Sequence, residues 1–343
     1  MRTGYISTAS LIGTTRTGLM RMQTDVSNLN KEITTGTLAD PGLTLGAGAG
    51  RAASLHIDNA GLDALITSNG EVSSRLQQTQ SALDQISSSA NSFLQQLLAA
   101  KGGDTTPIQA TAASSLDGFI SDANTSDGQN YLFAGINTAI KPLAAVADGP
   151  QTAIAAAFQA KFGMAPTDPG VSSISAADMN DFLDNQFSAM FDDPAWGSTW
   201  SSASDQTVKN RISPTETVET SVSANQPAMR KLAMAYSMVA ELGTDNLNSD
   251  ARQAVLDKAI SVIGDAVSGL TATQQNLGAT QNRVTAATTR LTNQQDILQN
   301  QITSLEGVDP SEAKVKLDSL STQIEMSYSL TAKLLQMSIL NYV

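Results

Sequence analysis

Few residues of this chain combine the types and spacing that chemistry requires. His56 is the only histidine and cysteine is absent, so a zinc site or a histidine-based triad would lack its further ligands or its nucleophile. The glycines between Gly46 and Gly50 lack the Gly-Lys-Ser/Thr ending of a phosphate-binding loop, and we interpret them as a flexible joint. We therefore expect no catalytic site, no cofactor and no metal, and the chain is not predicted to be an enzyme.

Two further groups of side chains have types that occur in ligand sites. Asp178, Asp181 and Asp184 recur at steps of three, which favours a solvated helix face, because the spacing is not that of an EF-hand loop. Trp196 and Trp200 lie in a segment rich in aromatic residues, and there they form either a carbohydrate platform or part of a core. A cell-surface module that binds a glycan through this segment is therefore one candidate function.

Composition excludes several classes of partner. The formal charge of −12 and the isoelectric point near 4.4 argue against nucleic-acid binding. No window approaches the length and hydrophobicity of a transmembrane helix, and the first residues show no secretory signal peptide. We expect neither a nucleic-acid partner nor membrane insertion, and disulfide bonds are excluded by the lack of cysteine.

Two long segments carry the seven-residue apolar repeat of coiled-coil helices. The repeat in the second segment comprises Leu256, Ile263, Leu270, Leu277, Val284, Leu291, Leu298 and Leu305. An unbroken helix over this stretch would be about 75 Å long, with Ser249 or Asp250 as its N-cap. The first segment runs from about Ser54 to Ala100 with the same period, interrupted at Asn69 and Thr79. We predict that the two segments pair as antiparallel rods.

Both ends of the chain are predicted to form weakly charged helices that need additional partners. The first helix ends near Gly36, and the last one, from Ser311 to Val343, is apolar on nearly all sides, which one partner helix cannot cover. We therefore predict an assembly interface with further copies of the chain. Its residues are Tyr5, Ile12, Leu19, Met22, Val26, Leu29, Ile33, Leu317, Leu320, Ile324, Tyr328, Leu334, Leu335, Leu340 and Tyr342.

The predicted fold is mainly α, with elongated antiparallel helical rods of coiled-coil type and a small inserted mixed α/β or β-containing domain. Three parts follow from the changes in composition. Residues 1–45 with 306–343 form a terminal paired-helix polymerisation domain, and residues 46–140 with 209–305 form a helical rod domain. Residues 141–208 form an inserted, surface-exposed globular domain, since they hold seven of the chain's fifteen aromatic residues.

Several local sequences resemble the bacterial flagellin family and, within it, the proteins of the hook–filament junction. The ending Gln336–Val343 resembles the family's terminal Leu-Ser-Leu-Leu-Asn-Tyr-Leu. Gln129–Gly135 is similar to the Tyr-Leu-Phe-Gly-Gly run of the junction proteins, which also have Asp-Pro and Asn where this chain has Asp40-Pro41 and Asn69. The Gly-rich stretch Leu43–Gly50 departs from the family's tighter and more polar turn.

This resemblance implies a structural adaptor of the bacterial flagellum, located outside the cell at the junction of hook and filament. The implied partners are other copies of the chain in a tubular ring, the first hook-associated junction protein and flagellin. The resemblance also implies a flagellar export chaperone and passage through the type III export apparatus without a cleaved signal peptide. Flagellin itself, the main filament subunit, is the alternative within the family.

Overall fold

The computed structural model describes residues 8–103 and 107–340, with side chains from 13 to 103 and from 107 to 333. The described residues are mainly helical, which confirms the predicted fold class, and they contain one two-stranded sheet. The helices are α1 (Thr8–Thr35), α2 (Pro41–Leu45), α3 (Ala49–Lys101), α4 (Ile108–Ala123), α5 (Pro150–Phe162), α6 (Ala176–Phe182), α7 (Ala195–Thr199), α8 (Pro227–Glu241), α9 (Ser249–Glu306) and α10 (Pro310–Leu340). The strands are β1 (Lys209–Ser213) and β2 (Glu216–Glu219).

The chain divides into two compact units. The first comprises residues 1–64 with 291–343, and the second comprises residues 65–290, so the boundaries fall within α3 and within α9. The three-part division made from composition stays a prediction.

The core of the second unit is built from the heptad seams of α3 and α9. Leu76, Leu83 and Leu97 of α3 and Ile263 and Leu270 of α9 are buried almost completely. The seam leaves no gap at the two predicted interruptions, since Asn69 and Thr79 are buried as well. Burial of this continuous apolar row drives the pairing, because the favourable free energy of burial grows with the apolar area removed from water.

The same core continues into the aromatic-rich segment of residues 141–208. Phe158, Phe182 and Phe187 are fully buried and belong to one continuous cluster with the α3 and α9 seams. Successive rings touch at tilted or edge-on angles, with 5.7 Å between the ring centroids of Phe158 and Phe182 and 5.9 Å between those of Phe182 and Phe187.

Helix α8 lies at the centre of the second unit and is buried along most of its length. Its Tyr236 ring contacts Phe93, with 5.0 Å between centroids, and Phe119, with 6.1 Å. Burial, followed by the nearby Asp122 carboxylate, raises the pKa of Tyr236 above its ordinary value. The Tyr236 hydroxyl has no hydrogen-bond partner among the described residues.

A polar contact in the α3 seam positions the hairpin of the second unit. Strands β1 and β2 pair antiparallel, with Lys209 opposite Glu219. The Asn69 side chain donates from Nδ2 to the carbonyl oxygen of Ile212 in β1 over 2.9 Å. The Thr79 hydroxyl instead donates to the Arg75 carbonyl of its own helix over 2.9 Å. The first interruption of the heptad pattern therefore anchors a strand, whereas the second is satisfied locally.

Helices α1 and α10 pack against each other in the first unit and run antiparallel. From Pro41 to the start of α3 the chain is helical, which corrects the predicted flexible joint at Gly46–Gly50. Asp40 caps α2 by accepting from the Leu43 N–H over 2.9 Å, and Gly46–Gly48 form a 3₁₀ turn. The positive φ of 51° at Gly46 permits that turn.

The N-cap of α9 also differs from the prediction. Asn248, rather than Ser249 or Asp250, accepts the Ala251 N–H on its side-chain oxygen over 2.9 Å. Its amide nitrogen donates to the carbonyl oxygens of Ser172 and Ile174 over 2.9 and 2.6 Å. Asparagine carries both an acceptor and a donor, so one side chain caps the helix and fixes the preceding segment.

Candidate assembly surface of the terminal helices

Nine of the predicted interface residues have described side chains, and all nine belong to α1 or α10. Tyr328 is 51% exposed, and the other eight are half-buried. These eight are Leu19, Met22, Val26, Leu29, Ile33, Leu317, Leu320 and Ile324. Tyr5 and Tyr342 lie outside the described residues, as do the side chains of Ile12, Leu334, Leu335 and Leu340.

Incomplete burial distinguishes this helix pair from the core of the second unit. Among described side chains, none from residue 13 to 35 is buried, and in α10 up to residue 333 only Ala313 is. The two helices therefore cover one side of each other's apolar seam and leave the rest in contact with solvent. A helix that is apolar on several sides is stable only when further elements cover those sides.

Large apolar side chains extend this exposed surface. Met20, Met326 and Leu330 are exposed, in addition to Tyr328. Tyr328 also borders a recess of about 230 Å³, which is lined by Thr15, Arg16, Leu19, Tyr328 and Thr331. Exposed large apolar side chains on α1 and α10 are suited to contacts with a further apolar surface.

Three threonine hydroxyls of α1 are bonded within the helix itself. The hydroxyls of Thr17, Thr24 and Thr34 each donate to the carbonyl four residues earlier in the same helix, over 3.0, 3.1 and 2.8 Å. Once these bonds are made, the threonines present mainly their methyl groups outward. Contact with another apolar surface would therefore not require these hydroxyls to lose a bond to water.

Charged pairs are concentrated in the first turns of α10. Lys314 binds Asp318 over 2.9 Å, and Lys316 binds Glu312 over 2.7 Å. The hydrogen bond from Lys316 to Glu312 is the main reason that the pKa of Lys316 is raised. Between Asp318 and Lys333 the only charged residue is Glu325, so the middle of α10 is nearly uncharged.

The segments that follow α1 and precede α10 are joined by backbone hydrogen bonds. We name residues 36–40 the first connector and residues 307–309 the second connector. The Leu38 N–H donates to the Glu306 carbonyl over 2.8 Å, and the Val308 N–H donates to the Gly36 carbonyl over 3.0 Å. The two connectors thus form a minimal antiparallel pair around Thr37 and Gly307.

A contact near this pair was not predicted from the sequence. His56 of α3 lies 2.9 Å, Nε2 to Oε2, from the carboxylate of Glu306, the last residue of α9. The Glu306 side chain is only 9% exposed, whereas that of His56 is 53% exposed. The two are 250 residues apart, and neither belongs to a heptad seam, so no local pattern predicts that they meet.

The other residues that were considered as ligand sites have structural partners. Asp181 pairs with Lys161 and Asp184 pairs with Lys258. The hydrogen bond from Lys161 is the largest cause of the lowered pKa of Asp181. Asp178 accepts from the Ser175 hydroxyl, and Ser175 caps α6.

The tryptophan rings do not form a surface platform. Trp196 is 0% and Trp200 1% exposed, and the rings stack on each other with 5.7 Å between centroids. Trp196 donates from Nε1 to Asn225 over 2.8 Å, and the Arg230 guanidinium lies 5.6 Å from its ring centroid. These rings are core residues, and the hypothesis that they hold a glycan loses its basis.

Among the described residues, no helix is both long and apolar enough to span a bilayer.

Family models match the two end regions of the chain. The model of the bacterial flagellin N-terminal helical region matches residues 6–138, and that of the bacterial flagellin C-terminal helical region matches residues 260–343. A solved structure from Vibrio parahaemolyticus, provisionally described as a flagellar hook-associated protein, is similar with a TM-score of 0.53 and 12% sequence identity. The alignment covers 76% of this chain and 97% of that one. The comparison with curated proteins finds no match.

Proposed function

Because the chain belongs to the bacterial flagellin family, we propose that it is the adaptor at the hook–filament junction, the role of hook-associated protein 3. Membership of the family makes it a structural subunit of the bacterial flagellum. The observation that carries the assembly mechanism is the half-buried seam between α1 and α10, which further copies of the chain would complete.

Two features support the junction over the main filament. The structural neighbour from Vibrio parahaemolyticus is described as hook-associated. Within this chain, Gln129–Gly135 resembles the corresponding run of junction proteins. Leu132 and Phe133 of that run are fully buried, and Ala134 bridges to Ser223, so the run is part of the core of the second unit.

Assembly proceeds by burial of the exposed faces of α1 and α10 against neighbouring subunits. Each Å² of apolar surface removed from water stabilises the assembly by about 25 cal/mol. That gain offsets the entropy lost when the terminal segments become ordered on docking. Subunits then form a ring in a tubular assembly, with the first hook-associated junction protein on one side and flagellin on the other.

The site of action is outside the cell at the end of the hook. The subunit reaches it through the flagellar type III export apparatus, accompanied by an export chaperone and without cleavage of a signal peptide. The absence of cysteine is compatible with this route, because no disulfide has to form after export.

Deletion of residues 330–343 tests the assembly mechanism. We expect cells that make only the shortened protein to lack filaments and to shed flagellin into the medium, as seen by electron microscopy and by immunoblotting of the supernatant. Long filaments on such cells, with the shortened protein still at the hook tip, would show that the C-terminal helix is not the polymerising element.

Copy number separates the adaptor from flagellin, the alternative function within the family. Quantitative mass spectrometry of sheared filaments should find a small, length-independent number of copies of an adaptor. A number that rises in proportion to filament length would identify the chain as flagellin. Immunogold labelling provides the spatial control, since an adaptor is labelled only at the base of the filament.

A further inference from the structure

We propose that His56 and Glu306 form a latch that holds the two connectors together. While the latch is closed, α1 and α10 keep a fixed orientation relative to each other where they join the connectors. The latch lies within the first unit, and it does not depend on where in the flagellum the subunit sits.

The burial of Glu306 is the first observation. A carboxylate that is 9% exposed has lost most of its hydration, which is costly unless a donor replaces the lost water. His56 Nε2 lies 2.9 Å from that carboxylate, and with its proton on Nε2 the imidazole donates to it. His56 itself stays half-exposed, so this contact holds the end of α9 without burying the imidazole.

The second observation is that Glu306 also acts through its backbone. Its carbonyl oxygen accepts the Leu38 N–H over 2.8 Å, and two residues later the Val308 N–H donates to the Gly36 carbonyl over 3.0 Å. Movement of Glu306 away from α3 would therefore stretch both connector bonds together. The side chain holds the end of α9, and the backbone of the same residue holds the first connector.

The last turn of α1 holds the first connector from the opposite side. Lys31 Nζ donates to the Ala39 carbonyl over 2.8 Å, and the Glu32 carboxylate accepts the Ala39 N–H over 3.1 Å. Leu38 and Ala39 are thus bound by two different helices. While the latch is closed, these hydrogen bonds restrain the first connector and prevent α1 from rotating about it.

Hydrogen exchange on the full chain tests the latch, with mass spectrometry of peptides that contain Leu38 and Val308. We expect Glu306→Ala and His56→Ala each to accelerate exchange at both amides at least tenfold. Glu306→Gln keeps an acceptor for His56 and should remain below that increase. Exchange around Phe93 in the second unit is the internal control for correct folding.

Asp296→Ala is the matched control, since it removes an exposed carboxylate from the same helix. It should leave both amides as they are in the unaltered chain. An increase below tenfold for either latch variant, or unprotected amides in the unaltered chain, would overturn the proposal. Because the measurement uses the free chain, this result is independent of the assembly experiments above.

Discussion

The same seven-residue pattern produces a closed core in one region of the molecule and an open surface in another. In residues 65–290, Leu76 and Leu83 of α3 are 0% exposed. In α1 the same interval of seven separates Leu19, Val26 and Ile33, and Val26 and its seam neighbour Leu29 are only half-buried. A heptad repeat therefore determines which face of a helix packs, but not whether its own chain supplies enough neighbours to cover that face.

A matched pair of leucine truncations would test this difference, and the first member should have the largest effect. Leu83→Ala leaves a cavity in a fully packed seam, and we expect it to lower the free energy of unfolding by about 2–5 kcal/mol. Urea unfolding followed by fluorescence of Trp196 and Trp200 measures the effect, because both rings lie in this core. The exposed Gln77→Ala is the control and should change little. An unchanged midpoint for Leu83→Ala would mean that the seam is not tightly packed.

Asn69→Ala tests the polar contact in the same seam and should have a smaller effect. The substitution leaves the Ile212 carbonyl without its donor, which should cost about 1–3 kcal/mol. We expect faster hydrogen exchange in β1 and β2 in particular. Thr79→Ala removes a hydroxyl that bonds only within α3, so it should leave the hairpin unaffected. Equal exchange in both variants would show that Asn69 does not anchor the hairpin.

Leu29→Ala is the second member of the matched pair. In the isolated chain it should cost about 1 kcal/mol or less, since a half-buried side chain has less apolar area to lose. Assembly should suffer instead, because the lost contact belongs to a surface that neighbouring copies complete. Sedimentation of polymers grown on filament seeds measures this effect. If Leu29→Ala destabilises the isolated chain as much as Leu83→Ala does, the seam of α1 is already covered and the comparison fails.

Regular patterns could be predicted from the sequence, whereas contacts between distant single residues could not. The heptads of α3 and α9, the end of α1 near Gly36 and the partial burial of the terminal helices follow from periodicity and from helix-ending residues. The contact between His56 and Glu306 depends on how two helix ends meet in space, which no local pattern records. The buried position of Trp196 also needed the fold, because an aromatic cluster suits a core and a platform equally well.

Tyr236→Phe should have the smallest effect on the free energy of unfolding at neutral pH. It also tests whether water is excluded from the closed core. The hydroxyl is buried and has no partner among the described residues, so its removal should change stability by about 1 kcal/mol or less at pH 7. At alkaline pH the two proteins should diverge. Tyrosine in the unfolded chain loses its proton near pH 10, whereas burial and the Asp122 charge raise the pKa of Tyr236 in the folded chain.

The sign of the pH effect follows from proton binding. Above about pH 10 the folded state of the unaltered chain retains a proton that the unfolded state has released. Stability that is fully present below that pH is therefore lost as the pH rises toward the folded pKa, by up to about 1.4 kcal/mol per pH unit. Tyr236→Phe lacks this loss, and Tyr131→Phe, the matched control, should retain it. Urea midpoints measured at intervals between pH 8 and 12 would show this loss of stability. Parallel curves for the unaltered chain and Tyr236→Phe would mean that water reaches the ring. The core would then be less tightly closed than its burial indicates.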